Sequence, residues 1–183
     1  MQIKLNCGNY CVVQAEISKP VTTEDGRLLF FANGRGISIR ASAARDVHSK
    51  YGFVDKDKVT VYGKLRYSTK NDECKLIVTH INPTKGDDVN LAMIEGYPIE
   101  VSYIHDSALI KLKSLSVTKQ GTVYNLYIPV LIHNQNVRVA SIVGDNTDNY
   151  PIIRVDGKLD RYNDKPSILA KHIAGAAPII REV

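Results

Sequence analysis

Four cations and two tyrosines lie between residues 62 and 75: Tyr62, Lys64, Arg66, Tyr67, Lys70 and Lys75. Ammonium and guanidinium groups attract phosphates, and phenol rings offer flat faces to unstacked bases. Together they supply what is needed to hold a single nucleic-acid strand without reading its sequence. Val59, Val61 and Leu65 occupy the alternate positions. Period-two geometry therefore turns these three toward a core and Tyr62, Lys64 and Arg66 outward. Upstream, Arg35 and Arg40 stand at or near another strand, and Phe30 and Phe31 are adjacent. In a strand one of the two phenylalanines points in and the other out. The sequence leaves open which, and Phe31 is carried as the candidate.

The later part of the chain offers a weaker version of the same chemistry. Lys158, Arg161 and Tyr162 are interleaved with Asp156, Asp160 and Asp164. These carboxylates oppose phosphate binding, so this stretch is expected either to bind less tightly or to serve assembly. Tyr124 and Tyr127 are three apart and face opposite sides of a strand, which leaves one base platform, Tyr127. No spacing in the chain suggests catalysis, a metal or a cofactor. Cys7-x-x-x-Cys11 has no second ligand pair, the five histidines are scattered, and Asn33-Gly-Arg-Gly36 lacks the Lys-Ser/Thr of a phosphate loop.

The two stretches are copies. Val61, Gly63, Lys64 and Leu65 align with Val155, Gly157, Lys158 and Leu159 at an offset of 94, whereas His80-Ile81 aligns with His172-Ile173 at 92. The change in offset fits a hairpin two residues shorter in the second copy. A repeat of about 90 residues suits a duplicated small domain rather than a solenoid.

The strands that must position these residues can be read in outline. Tyr10–Ile17, Arg27–Phe31, Ile37–Ala41, a run entered from Phe53 to Gly63, and Cys74–Ile81 read as five strands. A turn is expected from Lys19-Pro20 to Asp25-Gly26, and a short helix within Ala41–Lys50. Asn82–Asn90 has linker composition. Beyond it, Ala108–Val117, Val123–Val130, Asn136–Val143 and Pro151–Asp160 read as strands, with Pro129 marking an edge or bulge. Met93–Asp106 fits no element, and the segment after Val143 is too short and polar for a helix. The expected architecture is all-β with one short helix: two tandem five-stranded OB-fold barrels, at 1–84 and 92–183, joined by a linker at 85–91.

Bulk properties agree with a binding module. The net charge is +5, carried by residues 1–85 with 14 Lys/Arg against 8 Asp/Glu, while residues 86–183 hold 10 against 11. A basic first half suits a polyanion. Three cysteines form no disulfide framework, which favours a reducing compartment. The N-terminus lacks the apolar stretch of a secretory signal, and no run is long enough to span a bilayer.

The stretch Phe53-Val-Asp-Lys-Asp-Lys-Val-Thr-Val-Tyr-Gly-Lys-Leu-Arg66, with its Val-x-Val-x-Gly-x-Leu strand and basic-aromatic hairpin, resembles the fourth strand of bacterial-type single-stranded DNA-binding proteins. The likeness spans residues 9–82 and, more loosely, 107–175. It implies a non-enzymatic protein that coats single-stranded DNA in replication, recombination or repair. It also implies a homodimer supplying four OB modules, with replication or recombination proteins as further partners. Two family features are missing: there is no tryptophan, and the chain ends in Ile179-Ile-Arg-Glu-Val183 without an acidic tail. Both absences suit a phage- or plasmid-encoded or specialised member working in bacterial cytoplasm. The alternatives are an RNA-binding OB protein and an OB scaffold subunit of a larger complex.

Overall fold

The computed structural model describes residues 3–68, 73–86, 89–117, 122–133, 152–175 and 179–182. Among them the elements are β1 (Ile3–Asn6), β2 (Asn9–Thr22), β3 (Leu28–Gly34), β4 (Ile37–Ala43), α1 (Arg45–His48), β5 (Lys58–Ser68) and β6 (Glu73–Pro83). These are followed by β7 (Asn90–Ile104), β8 (Ser107–Val117), β9 (Val123–His133), β10 (Ile153–Tyr162), β11 (Lys165–Gly175) and β12 (Ile179–Glu182). The chain divides into two units, one of Tyr10–Leu91 and the other of Met1–Asn9 with Ala92–Val183. Residues 1–9, placed by sequence in the first domain, therefore group with the second: β1 pairs antiparallel with β12, and the Cys7 N–H donates to the Leu115 carbonyl at 2.8 Å.

The Tyr10–Leu91 unit is a closed five-stranded OB barrel. Strand β2 pairs with β3, β3 with β4, β4 in parallel with β6, β6 with β5, and β5 back with β2. Closure requires β2 to serve two neighbours. Cys11–Glu16 face β5, whereas the strand from Glu16 to Thr22 faces β3, with a bulge between Ser18 and Val21. Lys19 (φ 53°) and Pro20 form that bulge. The turn expected to start at Lys19-Pro20 is thus confined to the residues after Thr22, because a bulge bends a strand without ending it. Strict alternation fills the interior: in β4, Ile37, Ile39, Ala41 and Ala43 are buried while Ser38 and Arg40 are exposed. After β6 the chain is tied down by Gln14, whose backbone N–H donates to the Val89 carbonyl at 2.7 Å and whose Oε1 accepts from the Val89 N–H at 3.2 Å.

The other unit repeats this pairing: β7 with β8, β8 with β9, β9 in parallel with β11, β11 with β10, and β10 back with β7. Its first strand is β7, in the Met93–Asp106 segment that showed no clear pattern, so β8 is its second strand and not its first. Ala92–Gly96 face β10 and Tyr97–Ile104 face β8, again with a bulge, between Pro98 and Glu100. The strand expected at Asn136–Val143 lies outside the described residues.

The repeated motif marks one structural device. In β5 the ladder to β6 slips between Tyr62 and Gly63, and in β10 the ladder to β11 slips between Asp156 and Gly157. His80 and His172 pair with the residue before the slip in each copy. Ser68 faces Glu73, leaving four residues between them, whereas Tyr162 faces Lys165 with two. The shorter second hairpin is therefore observed, and its Asn163 and Asp164, with φ of 49° and 62°, have the backbone of a primed two-residue turn.

All three cysteines are buried. Burial pushes the Cys74 thiol up to about 12, with the Glu73 charge adding to the shift, and it raises the Cys11 thiol as well. A thiol so shifted holds far less thiolate than an open one at neutral pH. The native protein is expected to resist a thiol-exchange dye at about pH 8, with all thiols reacting only after denaturation. Rapid labelling of Cys74 in folded protein would contradict this burial. Because the fold favours the neutral thiol, this stabilisation is complete below pH 9.0 and is lost as pH rises through about 12.

Candidate nucleic-acid interface

The barrel's ladders carry four of the outward residues into one row. Phe31 on β3 pairs directly with Arg40 on β4. The parallel β4–β6 register sets Ala41 beside Leu76, which brings Lys75 alongside Arg40. Lys75 in turn pairs with Arg66 on β5. The structure resolves the phenylalanine question: Phe30 is 2% exposed in the core, and Phe31 is the outward ring. The Arg40 guanidinium carbon lies 5.9 Å from the Phe31 ring centre and its Nη1 lies 3.2 Å from a Glu73 carboxylate oxygen. Arg40 thus lies near the ring and is paired with a carboxylate.

Two features of this row suit a polyanion. It crosses β3 and β4, the second and third strands, which form the usual ligand face of an OB barrel. It also places Lys75 and Arg66 directly opposite one another, so that two cations on adjacent strands share one face. Tyr62 and Lys64 stand on the same outer side of β5, and Tyr62 meets the His80 ring edge-on at 5.8 Å. Arg35 is exposed at the β3–β4 turn, where it lines a shallow hollow with Glu16, Asn33 and Lys58. Tyr67 occupies the opposite side of β5 from Arg66, so the structure does not bring these neighbours together. Lys70 lies outside the described residues.

In the β2–β3 turn, the exposed Asp25 carboxyl is held below its usual range first by the Thr23 hydroxyl and then by Arg27. Arg27 donates from Nε to Asp25 at 2.8 Å, which commits that cation locally.

In the second barrel the cations of β10 have carboxylate neighbours. Arg154 lies 3.0 Å from Asp156, Lys158 lies 4.0 Å from Asp160, and Arg161 lies 3.8 Å from Asp164. Tyr162 is half-buried at the end of β10. Tyr127 is half-buried on the outer side of β9, with the Lys113 ammonium 6.0 Å from its ring centre. Sequence reasoning missed Lys113 and the role of Glu73. The alternation Lys111-Leu112-Lys113, which puts both lysines on one face, was the available signal for the first. Nothing local signals that Glu73 reaches Arg40, because their strands meet only through the parallel pairing. Among the described residues no group of three His, Cys, Asp or Glu could hold a metal, and no helix is long and apolar enough to cross a membrane.

No protein-family model matches the chain, and no curated protein matches its sequence. Solved structures do. The wild-type single-stranded DNA binding protein from Thermus aquaticus is similar over 97% of each chain at 12% identity, with a TM-score of 0.66. A deletion mutant of that protein is similar over 94% of this chain and 96% of its own at 13% identity, with a TM-score of 0.68. At such identity the likeness is one of fold, and it extends over nearly the full length of both chains.

Proposed function

We propose that this chain is a non-enzymatic, single-stranded DNA-binding protein that coats exposed strands during replication, recombination or repair in a bacterial or phage-infected cytoplasm. The observation that carries this reading is the row Phe31, Arg40, Lys75 and Arg66 crossing the ligand face of an OB barrel. A stacking ring followed by three cations matches a base and its flanking phosphates. The fold likeness to the Thermus aquaticus protein supports the same reading. The chain acts as a homodimer in this proposal, so that four barrels share one strand, with replication or recombination proteins as further partners.

The test is fluorescence anisotropy with labelled oligo-dT, its RNA counterpart and a duplex, at low and high salt. Tight oligo-dT binding that weakens with salt and is not shared by duplex is expected, since cations displace condensed counterions. Equal or tighter RNA binding would replace DNA by RNA in this reading. Failure to bind any of the three would make the barrels assembly modules. Light scattering should give the mass of a dimer, and a clean monomer removes that part.

A further inference from the structure

The two ladders let each residue of the first barrel's row be matched to its counterpart. Phe31–Arg40 corresponds to Lys111–Pro129, and Arg66–Lys75 corresponds to Asp160–Ser167. The counterpart row keeps one cation, Lys111, which lies 4.0 Å from a Glu100 carboxylate oxygen, and has lost the rest of the chemistry. Pro129 carries no charge, Ser167 is 1% exposed, and Asp160 is a carboxylate where Arg66 is a cation. Along the outer side of β10, Arg154, Asp156, Lys158 and Asp160 alternate in sign, whereas the matching residues of β5 are Thr60, Tyr62, Lys64 and Arg66. A phosphate crossing β10 therefore meets a carboxylate beside each cation it approaches.

The aromatic–cation pair of the second barrel lies elsewhere. Lys113 on β8 pairs with Tyr127 on β9, two positions from Lys111–Pro129 toward the β8–β9 hairpin. Leu126 and Ile128 on either side are 4% and 0% exposed, which turns the Tyr127 ring outward. The strands are again the second and third of an OB barrel, but cation and ring have exchanged strands relative to Phe31 and Arg40.

We infer that the second barrel holds a base and a phosphate at Lys113–Tyr127, two residues displaced from the row used on the first barrel, and that the alternating charges of β10 keep the strand off the equivalent path. This rests on the single-strand reading above and fixes where the strand runs over the second barrel. The bound strand stacks one base on Tyr127 and lays an adjoining phosphate against Lys113.

The wild-type chain should be photocrosslinked to an oligo-dT of about 30 nucleotides, the upper reach of two OB barrels, carrying scattered 5-iodouracil. Peptides containing Phe31 and Tyr127 should both carry label. Tyr127→Leu, which keeps apolar bulk, should weaken binding about fivefold or more, as loss of one stack does. Lys113→Gln should lower the logarithmic salt slope by about 0.7. Asp160→Arg, which restores the cation found at Arg66, should tighten binding and steepen the slope. If the wild type binds the oligomer but Tyr127 takes no label and Tyr127→Leu binds normally, the second-barrel site is wrong while the single-strand reading stands. If the wild type binds no single strand, both fall.

Discussion

Phe31→Ala is expected to weaken oligo-dT binding by about 1–3 kcal/mol, and Arg40→Ala, Lys75→Ala and Arg66→Ala together to lower the logarithmic salt slope by about 2. The two effects separate because the ring acts by stacking, which salt barely touches, and the cations act by releasing counterions. The ring is outward and partly exposed, so removing it leaves Phe30 and the core intact. The slope follows from three phosphate contacts at about 0.7 each on a single strand. Glu73 supplies an opposite-signed control. Its carboxylate lies 3.2 Å from Arg40, inside the row of cations. Glu73→Gln removes a charge that repels phosphate and costs only what an exposed ion pair contributes, about 1 kcal/mol at most. It should therefore tighten binding with little loss of stability. Titration of oligo-dT at several salt concentrations checks all of these. A Phe31→Ala protein that is folded and binds normally would move the site away from this face.

The first barrel was largely legible because its strands alternate without interruption where it matters. Ile37–Ala41, and the outward placement of Arg40 and of Tyr62, Lys64 and Arg66 opposite the inward Val59, Val61 and Leu65, follow from period two alone, while the run entered at Phe53 becomes strand only at Lys58 and continues beyond Gly63 to Ser68. The hairpin length difference was also legible, since an offset falling from 94 to 92 leaves no other place for two residues to go. Legibility failed at bulges. In β7 the inward residues Ala92, Ile94, Gly96 and Pro98 share one phase, but the bulge after Pro98 shifts the strand onto another, so the whole of Met93–Asp106 looked patternless. The same device in β2 made Lys19-Pro20 resemble a turn. In both strands the bulge lies two to three residues past the point where the strand changes partners, from the barrel's closing strand to its hairpin mate. That change is a property of closure, and a local window cannot see it. The row of Phe31, Arg40, Lys75 and Arg66 was hidden for a related reason. Its members come from four strands, and only the parallel register of β4 with β6 brings the middle two together.

Gly63→Ala should destabilise the protein by about 2–3 kcal/mol, the upper range for forcing a methyl group into a packed site. A Cβ at Gly63 would sit 2.5 Å from the Ile77 carbonyl oxygen and 3.0 Å from a Leu76 methyl. The obstruction includes backbone, which cannot swing aside as a side chain would, so β5 must either separate from β6 or lose the slip between Tyr62 and Gly63. Gly157→Ala should behave alike in the second barrel, where the added Cβ would meet the Leu169 carbonyl oxygen. The contrast with Gly36 separates lack of space from backbone conformation. Gly36 has φ of 77° and nothing within 4 Å of its missing Cβ. Gly36→Ala should cost about 1 kcal/mol for the left-handed backbone, and Gly36→Asn less, because asparagine tolerates that region. At Gly63 the order reverses: the larger asparagine should be worse than alanine. Urea unfolding of these variants reads this directly, and a Gly63→Ala protein within about half a kcal/mol of wild type would mean the slip is not held by contact. Binding should follow stability here. The slip lies between Tyr62 and Lys64, so a β5 that loses it no longer aims Lys64 and Arg66 at the row, and folded Gly63→Ala protein should bind oligo-dT more weakly than Gly36→Ala.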